Sequence, residues 1–358
     1  MESDERKGIS MKRIILCAAA CLMLLACGKP DATETNVKSP AQQAEPNQTV
    51  ETEPAANPAS EIKPTEAALD PDPTEETVVI DAINSDPTTA PTLQPVPAEM
   101  RFPDKFSDTP VLDDEGMTYK SDSVDISIRI YTEKNTYSKR IVYYVADIYV
   151  KDVTMIRTAA ARGDFGTRYE RRVKEIASDA GAILAIDGDT YTHVEKSFVI
   201  RNGELYRDTP IENTDICILY RDGTMETKKW GTFTAQSIID SDPWQVWGFG
   251  PALLDKDGRA TEIEHPLSGH NLRAAIGYYE PGHYCFVIVD GVRGSRDNGS
   301  DGIRLSAFSQ LMADLGCKAA YNLDGGDSAQ MYWNGRIINK SNNEGRVISD
   351  IIYILPEQ

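Results

Sequence analysis

The sequence predicts an α+β domain, an antiparallel-rich mixed sheet with a few packed helices, preceded by a disordered tether. Three observations predict it. From about residue 101 onward, β-type runs alternate with turn dipeptides such as Asn202-Gly203, Asp222-Gly223 and Pro281-Gly282, the pattern of hairpins and not of βαβ crossovers. Only 167–181 and 304–316 carry helical periodicity. Residues 28–100 hold 12 of the 20 prolines, no Phe, Trp or Tyr, and 14 acids against 3 lysines. Such a stretch cannot bury enough apolar surface to offset chain entropy.

Taken in order, the chain opens with a targeting segment. Lys12 and Arg13 precede an apolar run from Ile14 to Ala26, a basic region and hydrophobic region too short for a membrane span of ~20 residues. The run ends in Leu24-Leu25-Ala26-Cys27, which resembles the lipobox of bacterial lipoproteins and implies lipidation at Cys27. The expected organisation is a signal peptide over 1–27, an acidic Pro-rich linker over 28–100 and a folded domain over 101–358. The domain would then be extracytoplasmic and anchored to the bacterial membrane by its lipid. Of six cysteines, Cys217, Cys285 and Cys317 belong to the domain. One disulfide and a thiol, or three buried thiols, both fit; the apolar surroundings of Cys285 and Cys317 favour the thiols. A net charge of −19 argues against a nucleic-acid partner.

Within the domain, 124–132 and 141–150 read as strands. Residues 167–181 read as a helix with a Thr167/Glu170 capping box, an inward face of Tyr169, Val173, Ile176 and Ala180, and a stop at Gly181. A buried strand, 182–186, runs into Asp187-Gly188-Asp189. Hairpins follow at 197–207, 215–227 and 273–291. A helix at 304–316 turns Leu305, Phe308, Leu311, Met312 and Leu315 inward. A strand entering Asn322, a hairpin at 329–339 and a closing strand at 348–355 complete the domain.

Chemistry is expected where acids and glycines sit just past strand ends. A glycine after an acid lets the backbone turn sharply or approach a ligand, although most Asp-Gly pairs are only Asx-turns; Asp222-Gly223 and Asp257-Gly258 read that way. The segment Asn322-Leu323-Asp324-Gly325-Gly326-Asp327-Ser328 is richer, because successive amides in such a turn can point at an anion. Arg273 opens an apolar strand and reads equally as an ion-pair partner or an anion ligand, as do Arg346 and Asp350 around the last strand. No G-x-S-x-G or phosphate-binding G-x-x-x-x-G-K-[ST] is present. The four histidines show no metal-ligand spacing; His193 follows Asp187 closely enough to enter the same cleft.

Several motifs recur in a telling order: "AIDGDTY", "FVIRNGELYR", "WGFGPALL", "RAAIGYY", "VIVDG", "LSAFSQLMADLGCKAAYNLDGGDSAQMYWNG" and "RVISDIIYI". Together, over roughly 140–358, they resemble the phosphodiester glycosidase family. The resemblance implies hydrolysis of a sugar-1-phosphodiester at the anomeric carbon, with a carbohydrate phosphodiester of a cell-envelope glycan or exopolysaccharide as substrate. Such a reaction needs a carboxylate for the oxocarbenium-like sugar and cationic or amide donors for the phosphate. It implies Asp324 and Asp189 as the carboxylate pair, with Asp187 beside them. Arg273 becomes the phosphate ligand, Gly325, Gly326 and Ser328 line the pocket, and Asn322 and Asp290 orient it. This chain has Asp187-Gly188 where the family commonly has Asn-Gly, and Asp327 where it commonly has a third glycine. Both add negative charge where a phosphate should bind, which an arginine, a protonated carboxyl or a divalent cation could offset. The alternative expectation is a non-catalytic glycan-binding lipoprotein on the same fold.

Overall fold

The computed structural model describes residues 101–134, 140–165, 170–193, 196–291, 300–339 and 345–357. The expected targeting segment, Cys27 and the expected tether lie outside the described residues. In chain order the elements are β1 (Val111–Asp113), β2 (Thr118–Lys120), β3 (Val124–Lys134), β4 (Arg140–Val150), β5 (Arg157–Ala160), α1 (Val173–Asp179), β6 (Leu184–Asp187), β7 (Ser197–Arg201), β8 (Glu204–Thr209), β9 (Ile216–Tyr220), β10 (Met225–Lys228), α2 (Ala235–Ile239), β11 (Pro243–Trp247), β12 (Arg273–Glu280), β13 (His283–Val289), α3 (Leu305–Asp314), β14 (Ala319–Asn322), β15 (Met331–Trp333), β16 (Arg336–Ile337) and β17 (Asp350–Ile354). They form a seven-stranded sheet in the order β1-β2-β3-β4-β13-β12-β14 and two five-stranded sheets, β10-β9-β11-β7-β8 and β16-β15-β6-β17-β5. Every ladder among these strands is antiparallel.

The expected hairpins form where their turn chemistry allows. Asn202 (φ 54°) and Gly203 (φ 78°) join β7 to β8, and Asn334 (φ 39°) and Gly335 (φ 90°) join β15 to β16. Both pairs supply the left-handed backbone that a two-residue hairpin requires. Strands β4, β12 and β13 are apolar on both faces. Ala274, Ile276, Phe286 and Ile288 enter a core shared with the other two sheets through Leu184, Ile186, Trp247, Met331 and Ile352. Ala275, Cys285, Val287 and Val289 face Leu305, Phe308 and Met312 of α3. That two-sided burial explains why these strands read as continuous apolar runs.

The first helix differs from its expectation. It begins at Val173, not in the 160s, and buries Val173, Ile176 and Ala177; Thr167 and Tyr169 lie outside the described residues. Arg171 exchanges both main-chain hydrogen bonds with Ile348. That extended pairing holds residues 170–172 out of helix and overrides the local capping signal. Strands β1, β2, β5 and β11 and the short helix α2 were not legible in the sequence.

Candidate active site

The β12–β14 register carries the site. Ala275 pairs with Asn322 and Ile276 with Tyr321, and Leu323 N–H donates to Ala274 O. Continued along the ladder, this register sets Arg273 opposite Asp324. Opposed residues share a face, so Arg273, Ala275, Asn322 and Asp324 point to the side that carries α3. At the end of this ladder the 188 peptide of the neighbouring sheet closes in: Asp324 N–H donates to Gly188 O, and Gly188 N–H to Asp350 O. Two sheets therefore meet at the segment that carries the acids.

A pocket of about 240 Å³ opens there, lined by Phe249, Leu267, Asn271, Arg273, Asp324, Gly325, Gly326, Asp327 and Arg346. Asp324 is 6% exposed. Its Oδ1 accepts from Gly325 N–H at 2.8 Å and its Oδ2 from Arg346 Nη2 at 2.7 Å. Arg346 is fixed in turn: its Nε donates to Ser328 Oγ at 2.9 Å and its N–H to Asp327 O at 2.9 Å. Burial works against the Arg346 charge, but Asp324, Asp187 and Asp327 more than offset it and hold its pKa above the ordinary value. Ser328 is fully buried and acts through Arg346.

Arg273 is 3% exposed and meets no carboxylate among the described residues. Its Nη2 donates to Leu267 O and Gly269 O, both at 2.6 Å, and its Nε to Ile303 O at 3.3 Å. Burial alone lowers its pKa, to about 10, so it remains a cation at neutral pH. Its Nη1 makes no hydrogen bond with the described residues. A buried cation is usually paired; one that lines a pocket without an anion is built to receive one.

The glycine turn works differently from the expected amide nest. Gly325 N–H is spent on Asp324, and Gly326 N–H donates to Leu272 O at 3.0 Å. These glycines serve by their missing side chains: a Cβ on Gly325 would lie 3.0 Å from Leu272 O, and Gly326 has φ +65°. The anion donors of this pocket are the arginines.

The expected carboxylates separate. Asp189 is built into another cluster. Its Oδ2 accepts from Arg201 Nη2 at 2.7 Å and from Gly248 N–H at 3.2 Å, and its Oδ1 from Tyr191 N–H at 3.2 Å. Arg201, fully buried, also donates through Nε to Asp350 Oδ2 at 2.9 Å, and Asp350 Oδ1 accepts from Asp189 N–H at 3.0 Å. Burial pushes Asp350 up to about 7. The glycine between Asp187 and Asp189 makes room for this cluster, since a Cβ on Gly188 would fall 2.2 Å from Asp350 Oδ1. Asp189 thus joins strands and does not line the pocket. Asp187 is fully buried behind Asp324. Its Oδ1 accepts from Gln330 N–H at 3.2 Å, while its Oδ2 has no hydrogen-bond partner among the described residues. Burial raises this carboxyl well above the usual carboxylate range, and the charge on Asp324 raises it further. Asp187 therefore keeps its proton to higher pH than an exposed aspartate does.

Asn322 lies under the pocket and donates to Gly250 O at 2.8 Å, beside Phe249. Asp290 lies off the pocket and accepts from Asn339 Nδ2 at 3.3 Å. His193 pairs instead with Glu170 at 2.7 Å on the surface. Among the described residues no group of three or more His, Cys, Asp or Glu could hold a metal ion. Sequence reasoning left Arg346 and Asp350 ambiguous and did not single out Arg201, Phe249, Leu267 or Asn271. The one signal for Arg346 was its place in the last matching motif.

Fold and site together define a β-rich domain with a carboxylate–arginine pocket suited to an anionic ester. Residues 180–355 match the phosphodiester glycosidase family, so that stretch is a phosphodiester glycosidase domain, as the ordered motifs implied. The SPbeta prophage-derived uncharacterized protein YomE of Bacillus subtilis (strain 168) is 27% identical over 199 residues, 53% of this chain and 30% of that protein; the match thus spans less than a third of the relative's length. The catalytic domain of zebrafish N-acetylglucosamine-1-phosphodiester alpha-N-acetylglucosaminidase, solved in a form auto-inhibited by its pro-peptide, superposes with a TM-score of 0.53 at 21% identity. That match covers 66% of this chain and 85% of that one; at such identity the likeness is one of fold.

Proposed function

We propose that this protein is a lipid-anchored, extracytoplasmic hydrolase that cleaves the glycosidic bond of a sugar-1-phosphodiester in a cell-envelope glycan. The observation that carries the reading is the pairing across one pocket of Asp324 with Arg273, a buried guanidinium that no carboxylate among the described residues neutralises. The phosphate sits on Arg273 with Arg346 at its flank, where charge-assisted donors hold it more strongly than neutral ones could. The Asp324 carboxylate, oriented by Arg346 and Gly325, faces the anomeric carbon and stabilises the oxocarbenium-like charge, as nucleophile or as base to water. The phosphate leaves as an anion and needs little protonation. Burial raises the Asp187 carboxyl well above the usual carboxylate range, which lessens the negative charge that the Asp-for-Asn difference at 187 sets beside the phosphate.

The test is release of free sugar from a UDP-linked sugar or a chromogenic sugar-1-phosphodiester, with a divalent cation and with a chelator. Release that needs no added metal supports the arginine-based reading. No release under any condition, with the glycan still bound, would establish instead the non-catalytic binding protein, for which the half-buried extra acid Asp327 at the pocket wall is the favouring observation.

A further inference from the structure

Two buried sulfurs meet outside the lining of the Asp324 pocket. Cys285 lies on β13, directly opposite Gly277 of β12. Cys317 follows the Gly316 stop of α3 and leads into β14. Both are buried in the cluster between the seven-stranded sheet and α3, and their Sγ atoms are 3.7 Å apart. The space in which they meet exists because residue 277 has no side chain. A Cβ there would lie 2.6 Å from Cys285 Sγ, 2.7 Å from Cys317 Sγ and 2.8 Å from Met312 Cε, so any other residue would push the sulfurs apart. Cys217 belongs to the other core, shared by all three sheets, and meets neither of them.

We propose that Cys285 and Cys317 are a disulfide-forming pair, which staples the end of α3 to the central β12–β13 hairpin, while Cys217 remains a thiol. Closing the bond needs the sulfurs to approach to ~2.05 Å, within reach of small side-chain rotations from their present contact. One thiolate attacks a disulfide donor, for example oxidised glutathione, forming a mixed disulfide and releasing one donor thiolate. The second cysteine, as its thiolate, then displaces the other donor thiolate and closes the Cys285–Cys317 bond. Two electrons pass to the donor, and the two protons lost by the cysteines end on the donor thiols. The contact with Cys317, and burial with it, raise the Cys285 thiol well above its ordinary value, and both sulfurs are buried, so the exchange takes place as the chain folds or through local opening, when the sulfurs are reachable.

The experiment refolds the full chain in a glutathione series of increasing oxidation, quenches with acid, alkylates under denaturing conditions and maps the peptides by mass spectrometry. The expected result is one intrachain bridge, Cys285 to Cys317, with Cys217 alkylated throughout. The oxidised protein should melt higher than the dithiothreitol-treated one by roughly 5–15 °C, given a closed loop of about 30 residues. Cys217→Ser should keep both the bridge and the shift; Cys285→Ser and Cys317→Ala should each lose both. Alkylation of all three residues even in the most oxidising buffer, or a bridge that includes Cys217, would overturn the proposal.

Discussion

Replacing Arg201 by methionine should destabilise the domain more than any change at the pocket. Arg201 is fully buried, and its guanidinium is held by Asp189 Oδ2 at 2.7 Å, by Asp350 Oδ2 at 2.9 Å and by the carbonyls of Ile200 and Val246. Methionine fills much of the volume but leaves two buried carboxylates without their counter-ion. Breaking one buried pair costs about 3–5 kcal/mol, and the second acid and the carbonyls make this a lower bound. For a domain of ~250 residues each kcal/mol moves Tm by about 2–4 °C, so the expected fall is roughly 6–20 °C at pH 8. Differential scanning calorimetry reads it directly. The deficit should shrink at pH 5, where the stranded acids take up protons, and Arg201→Met combined with Asp189→Asn and Asp350→Asn should recover much of it. A fall below about 2 °C, or no recovery in the triple variant, would refute the assignment of Asp189 to the framework.

Four further outcomes follow from the same geometry. Arg273→Met should lower kcat/KM on a sugar-1-phosphodiester at least ~100-fold, as expected for losing a charge-stabilising donor, and should abolish competition by inorganic phosphate; unchanged phosphate inhibition would remove Arg273 from the site. Asp187→Asn should be stabilising at pH 8 and neutral near pH 4. The folded state holds a proton on Asp187 that the unfolded chain gives up above its ordinary pKa of 3.8, so this residue's contribution falls as pH rises, by up to ~1.4 kcal/mol per pH unit, and asparagine removes that fall; a pH-independent difference in Tm would contradict it. Cys27→Ser should move the protein from the membrane to the soluble fraction, and unchanged partitioning would contradict lipidation. Asp324→Asn should abolish sugar release while shifting Tm by only a few degrees; a large loss of stability would mark Asp324 as a framework residue like Asp189.

Hairpins with Asn-Gly turns were legible because a left-handed backbone restricts the residues that can serve, and α3 because its inward face repeats at helical spacing. The first helix was misplaced because the deciding contact, Arg171 with Ile348, spans the domain. The site was half legible for a similar reason. Asp324 and Arg273 stand at strand ends within recognisable motifs, and their opposition follows from one register. The division of labour between Asp187 and Asp189 does not: it is set by Arg201 and Asp350, residues distant in sequence from each other and from the glycine that lets them meet. The turn's amides looked free in sequence because nothing local shows that Asp324 Oδ1 and Leu272 O already occupy them.

The most direct measurement is the position of oxygen-18 after cleavage of a sugar-1-phosphodiester in labelled water. Attack at the anomeric carbon, with Asp324 at the sugar and Arg273 at the phosphate, places the label in the released sugar hydroxyl and none in the phosphate, and Asp324→Asn yields no labelled sugar. Label in the phosphate would mean that the pocket breaks the P–O bond and would contradict the account.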